Sequence, residues 1–223
     1  MGGAEAGALE DLSARELAGY AETLERQGDN LGAARLFEQA AADREEYDSP
    51  FWLNQAAINY RLAGSGHWTK ALELFDHVIE TTHSELRDRA RRDKAMLLVD
   101  LGRFNEAIWL LQKAELGQVE RGQIIESYVT QGFIGRVRLA AGERQWGREI
   151  LERVNGNLRG YHSVYELNNL IWLLKAVSLP RRVALLPRAL HLAARTGYRR
   201  RGVEAMLITV SPTLYALIKS RRR

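Results

Sequence analysis

The sequence predicts an all-α chain, a solenoid of antiparallel helix hairpins, and three observations lead there. Apolar residues recur at helical spacing. Leu17, Tyr20, Ala21 and Leu24, and again Leu53, Ala56, Ala57 and Tyr60, fall at i, i+3, i+4 and i+7 and make one stripe per helix. Breaks recur as well, at Gly28, Gly66, Gly102 and Gly142. Their nearly even interval falls in the range of roughly 35–40 residues that stacked helical hairpins produce. Finally, one residue pattern follows every break. Ala33, Phe37 and Ala40 come after Gly28; Ala71, Phe75 and Val78 after Gly66; Ala107, Leu111 and Ala114 after Gly102; Gly147, Leu151 and Val154 after Gly142. The small residue lets two helices approach closely, and the large one fills the space toward the next hairpin.

Each element has a local reason. Gly28-Asp29, Gly64-Ser65-Gly66, Gly102-Arg103 and Gly142-Glu143 close periodic segments, where glycine relieves the left-handed strain of a helix end. Ser49-Pro50, Leu179-Pro180 and Ser211-Pro212 read as starts, because proline tolerates the first turn and serine caps it. The expected organisation is a flexible segment over 1–13, four hairpins over 14–155, C-terminal helices with a degenerate repeat and cap over 156–219, and a basic tail over 220–223. In the third part, Asn157 to Val177 and Arg181 to Thr196 read as one helix each. Gly197, Gly202, Met206 and Thr209 repeat the spacing as a fifth hairpin, and Pro212 to Lys219 closes the stack.

Composition narrows the class. The chain has 223 residues, 46% hydrophobic and 27% charged, with no cysteine. That is enough apolar material to offset ordering entropy, and it excludes disulfides, thiol nucleophiles and thiolate metal sites. The first residues lack a basic and apolar leader, and Ala6 stands where an acylation motif needs Ser or Thr. The longest charge-free apolar stretch runs from Ala205 to Ile218 and is interrupted by Pro212. It falls short of the roughly 18 to 20 residues that a bilayer span needs. The reading is a cytoplasmic protein with no membrane span.

With these residues in hand, the chain resembles the tetratricopeptide repeat family. The segments Gly28 to Ala40, Gly102 to Ala114 and His67 to Phe75 carry the likeness, and Gly135, with Ile134 before it, sits where the family favours a small residue. The likeness covers residues 14 to about 155. The chain departs from the family in its period, which exceeds the usual length of about 34 residues. It departs also in the proline after the second helix, replaced by Glu45 in the first unit. The resemblance implies a right-handed superhelical solenoid with an atypical C-terminal helical cap. It implies a non-enzymatic scaffold that binds another protein or a peptide, and a groove lined by the first helix of each hairpin. Carried over by repeat phase, the groove candidates are Arg15, Glu22 and Arg26; Asn54, Gln55, Ile58 and Arg61; Arg89, Arg92, Asp93 and Met96; and Phe133 and Arg136. Arginines and amides can bond an extended backbone or a carboxylate, while Ile58, Met96 and Phe133 add apolar contact. The carboxylate clamp of some relatives is not reproduced: of Ala18, Glu22, Gln55, Arg89 and Asp93, only Arg89 fits, and two are acidic.

Charge supplies the competing reading. Pro180 to Arg223 holds eleven Lys and Arg against Glu204 alone, a net +10, while the whole chain carries only +4. Arginine suits phosphate or carboxylate through its planar fork. The patch of Arg195, Arg199, Arg200 and Arg201, beside Tyr198, is therefore a candidate for nucleic acid or an acidic partner. A solvated rim explains the same charges, and one aromatic is thin support for stacking. Contact of Ala205 to Ile218 with an anionic membrane surface is a further reading, as is self-association through groove or ends.

No reaction chemistry is written in the chain. The five histidines are His67, His77, His83, His162 and His191, with no H-E-x-x-H, P-loop or G-x-S-x-G. Glu80 and His83 have the E-x-x-H spacing of a di-iron helix, but a second such pair is missing. No catalytic residue, metal or cofactor is expected. Trp68 and Trp172 read as packing residues.

Overall fold

Serine, proline and glycine punctuate the helices largely where the sequence places them. The computed structural model describes residues 12–42, 48–213 and 215–216. Among these, eleven α-helices follow one another: α1 Ala14–Gln27, α2 Asn30–Ala40, α3 Ser49–Ala63, α4 Trp68–Thr81, α5 Ser84–Asp100, α6 Phe104–Glu120, α7 Ile124–Ala140, α8 Arg144–Leu158, α9 Ser163–Ala176, α10 Leu179–Arg195 and α11 Arg199–Val210. No strand occurs among the described residues, and no helix among them is long and apolar enough to cross a membrane. Residues 1–11 of the segment expected to be flexible, and the basic tail 220–223, lie outside the described residues. Half of the expected closing helix does too.

A capping box starts α1: the Glu16 amide donates to Ser13 Oγ, and the Ser13 amide donates to Glu16 Oε2 at 2.9 Å. Pro50 and Pro180 sit in the first turns of α3 and α10. Ser49 does not cap, however. Its hydroxyl donates to the Ala41 carbonyl at 2.8 Å and ties the start of α3 to the end of α2. Pro187 lies inside α10. Val183, whose carbonyl loses its amide partner there, is exposed, so water can take that bond. At the second break the left-handed residue is Gly64, at φ 120°, and not Gly66. Gly66 belongs to a short 3₁₀ turn, Ser65–His67.

The recurring triplets build the core. Ala33, Phe37, Ala40, Ala71, Phe75, Val78, Ala107, Leu111, Ala114, Leu151 and Val154 are all at most 1% exposed, and Gly147 is buried with them. Where the fourth unit has glycine, the crossing is tightest. A Cβ on Gly147 would stand 2.8 Å from the Gly135 carbonyl oxygen across α7 and α8.

The chain divides into two compact units, one reaching Leu101 and the other starting at Gly102. The division falls between α5 and α6. In the first unit each of α1 to α4 packs on the next, and α3 also touches α5. Its core gathers Leu17, Phe37, Trp52, Phe75 and Leu97. Tyr60 donates to Glu38 at 2.8 Å, and Lys70 lies 2.6 Å from the same carboxylate. Burial and that carboxylate push the Tyr60 phenol up to about 12. In the second unit each of α6 to α11 packs on the next, α7 touches α9, and α9 touches α11. Its core gathers Leu151, Leu170, Ile171, Leu174, Leu192 and Ile208. These alternate helices meet one another as well as their own partners. They form the inner row of the second unit, as α3 and α5 do in the first.

The helix expected over Asn157 to Val177 is two helices. α8 ends at Leu158, the chain turns at Gly160 (φ 84°), and α9 starts at Ser163. The pairing that follows is α9 with α10, so α11 is a further first helix and not the second helix of a fifth hairpin. Its buried residues are Gly202, Ala205, Ile208 and Thr209. That face turns Met206 outward, 49% exposed, against the spacing argument. The α9–α10 pair is fastened by Arg188, whose Nε and Nη2 donate to the two oxygens of buried Glu166 at 2.8 and 2.9 Å.

Candidate functional site

The groove candidates of the first unit are largely spent on holding α3 to α5. Asn54 is fully buried, and its amide donates to Asp93 Oδ2 at 3.1 Å. Asn54 is therefore a bracket between helices and not an open groove donor. Met96 is also buried, at 9% exposure, so it packs inside. Gln55 is half-buried with its carbonyl oxygen enclosed. Arg61 Nε donates to Asp100 at 2.6 Å. Arg89 is exposed and lies over the Phe51 ring at 5.2 Å. Ile58 and Arg92 are half-buried. Burial raises the Asp93 carboxyl, while the Asn54 bond and the charges of Arg89, Arg92 and Arg61 pull it back down. The unit thus carries an acid of its own among its arginines. In the first hairpin, Arg26 is turned onto α1 itself, donating to the Glu22 carbonyl at 3.2 Å and to Thr23 at 3.0 Å.

The inner row of the second unit is different. Arg136 of α7 places its guanidinium 4.4 Å from the Phe133 ring centre and 4.5 Å from that of Trp172 on α9. Lys175, one turn further along α9, lies 4.3 Å from Trp172 and 5.2 Å from Tyr215. Aromatic and cation alternate along the row Phe133, Arg136, Trp172, Lys175, Tyr215. Such contacts gain more where water is partly excluded, and these side chains are half-buried. Trp172 is thus a member of a cation-lined row and not only a packing residue. Its position could be read from the repeat, because Trp172 follows Arg136 by one interval of the glycine breaks.

Glu204 of α11 anchors the far end of the row. Lys175 Nζ lies 3.0 Å away, Arg201 Nη1 donates at 2.7 Å, and the Tyr215 hydroxyl donates at 2.8 Å. Burial alone would raise this carboxyl, but Lys175, Arg201 and Tyr215 together hold it down at about 2. Burial and Glu204 push the Tyr215 phenol up. Because the folded value lies below the ordinary 4.5, Glu204 stabilises the fold above that pH, and the contribution disappears as pH falls toward 2. In urea melts, the stability gap between wild type and Glu204→Gln should be full at pH 6 and close between pH 4.5 and 2. A gap that stays constant across that window would sink this assignment.

The arginine-rich end is partly neutralised from within. Arg201 is held by Glu204 and Arg188 by Glu166, leaving Arg195, Arg199 and Arg200 exposed beside half-exposed Tyr198. Glu80 and His83 are both exposed at the end of α4 and the turn after it, and His83 faces Arg87 at 2.9 Å. Among the described residues, no three His, Asp or Glu side chains gather as a metal site. Trp68 packs as expected, its indole N–H donating to the Arg61 carbonyl at 3.1 Å. Trp109 and Trp146 are half-exposed, with Lys113 and Arg138 laid over them at 3.9 Å.

Solved structures place this architecture in a class. A single-substitution variant of a Podospora anserina kinesin-light-chain-like protein with nearly identical TPR-like repeats is 20% identical, with a TM-score of 0.60, over 82% of this chain and 96% of that one. The same protein without the substitution is 19% identical, with a TM-score of 0.56, over 89% and 96%. No family model and no curated protein matches the chain. The fold is a tetratricopeptide-type repeat fold, as the glycine spacing and the buried triplets imply.

Proposed function

We propose that this chain is a non-enzymatic protein-interaction scaffold that holds an extended peptide or a partner helix against its first helices. The observation that carries the reading is the row of Phe133, Arg136, Trp172 and Lys175, where guanidinium and ammonium groups are pinned against rings. Pinned side chains lose little further entropy when a partner arrives. Arginine and aromatic residues are also those that dominate binding energy at protein interfaces. The inner side of the first unit, with exposed Arg89 over Phe51, offers a smaller version of the same surface.

The test is selection of a random peptide library on the full chain, followed by fluorescence anisotropy of the enriched peptides. Phe133→Ala and Arg136→Ala are each expected to weaken binding about tenfold, roughly 1.4 kcal/mol, with helicity unchanged by circular dichroism. Absence of any enriched peptide, or full affinity in both variants, would overturn the reading.

A further inference from the structure

A cavity of about 410 Å³ opens between the α7–α8 turn and the α9–α10 turn of the second unit. Its wall includes the cations Arg144, Lys175 and Arg182, the indole of Trp172, and the residues Val177 and Ser178 at the start of α10. None of the residues lining it is acidic.

Arg182 is the unusual member. It is half-buried, and its guanidinium is held by neutral acceptors only: Nε donates to the Val177 carbonyl at 3.0 Å, and Nη1 donates to the Ile208 carbonyl at 3.3 Å. Three other arginines of this unit are fixed in place by carboxylates. Arg138 has Glu143, Arg188 has Glu166, and Arg201 has Glu204. Among the described residues, neither Arg182 nor Arg144 pairs with a carboxylate. A guanidinium taken partly out of water without a counter-charge is costly. The sequence adds to that cost: the first turn of α10 contains Arg181 and Arg182 and no acid, although a helix start favours negative charge. Lys175 is balanced by Glu204, so the uncompensated charge of the cavity rests on Arg144 and Arg182.

We infer that this cavity is a binding site for an oxyanion, held between Arg182 and Arg144 beside Trp172. Arg182 is already oriented by its two carbonyl contacts, and the planar fork keeps donors to spare for carboxylate or phosphate oxygens. The oxyanion has two sources, a free anion or an acidic side chain on a bound chain, and they are separable by probe.

The experiment titrates the full chain, in chloride buffer at low ionic strength, with inorganic phosphate in one arm and an acetylated hexaglutamate peptide in the other. Calorimetry gives affinity, and the indole N–H resonance of Trp172, assigned through Trp172→Phe, reports the place. Binding is expected in at least one arm, with a shift of that resonance and a loss of about tenfold in Arg144→Gln and Arg182→Gln. The double variant Arg199→Gln/Arg200→Gln, which removes exposed charge elsewhere, should bind as wild type does. Phosphate binding identifies a free anion; binding of the peptide alone identifies an acidic side chain. Should Arg182→Gln fail to fold, exposed Arg144 carries the test by itself. No binding in either arm, or an equal loss in the Arg199/Arg200 variant, overturns the inference. Neither result bears on Phe133, on which the peptide-binding reading is tested.

Discussion

Replacing Arg188 by alanine should destabilise the chain by about 2–3 kcal/mol, lowering the melting temperature by roughly 5–10 °C. The expectation starts from Glu166, which is 1% exposed and has its two oxygens bonded to one guanidinium. Removal of Arg188 leaves a carboxylate out of water without its counter-charge. The only other bond to it among the described residues is a long one, 3.4 Å, from the Gly160 amide. Losing one partner of a buried pair typically costs about 3–5 kcal/mol. Here the cost falls at or below the low end of that range, because the Arg188 side chain is 35% exposed and water reaches it. Glu166→Gln/Arg188→Ala should recover part of the loss, since a neutral amide is less costly to bury. Thermal and urea unfolding of both variants measure this. A loss below about 0.5 kcal/mol in Arg188→Ala, the scale of an ordinary surface substitution, would show that the pair contributes nothing.

Gly147→Ala should destabilise by about 1–3 kcal/mol even though alanine favours helices by about 1 kcal/mol over glycine. The added methyl would sit 2.8 Å from both the Gly135 carbonyl oxygen and Leu139 Cγ. Leu139 can turn aside; a backbone oxygen cannot, so α7 and α8 must separate and lose close packing along their length. Gly19 supplies the opposite sign. It lies within α1, and a methyl added there would meet nothing within 4 Å, so Gly19→Ala should stabilise by about 0.5–1 kcal/mol. The pair is read by urea denaturation; stabilisation by both substitutions would remove the close-crossing account of the fourth hairpin.

The fold was more legible in the residues than the site. Ala33, Phe37 and Ala40 and their counterparts could be found because close packing permits few residue types at a crossing, and those types repeat at a fixed interval. The split between α8 and α9 was hidden because Leu158, Leu167 and Ile171 read as one apolar run, with only Gly160 between them to mark the turn. Sequence phase picked out Phe133 and Arg136, which the structure brings together, but could not tell whether a first-helix side chain faces outward or bridges to the next helix. Asn54 and Asp93 bridge. Lys175, Glu204 and Tyr215 meet only through the packing of α9 against α11, over separations in the chain that carry no local pattern.

Within each unit, the substantial helix contacts among the described residues join helices one or two places apart in the chain, and this has a consequence for how the molecule is made. Contacts between near neighbours close short loops, so little entropy is lost before each contact is rewarded, and such topologies reach their native state quickly. The block up to Leu101 gathers Leu17, Phe37, Trp52, Phe75 and Leu97 from its own helices. Its helices can therefore begin to pair while the ribosome is still adding the residues that follow, before the aromatic and basic row has been synthesised at all.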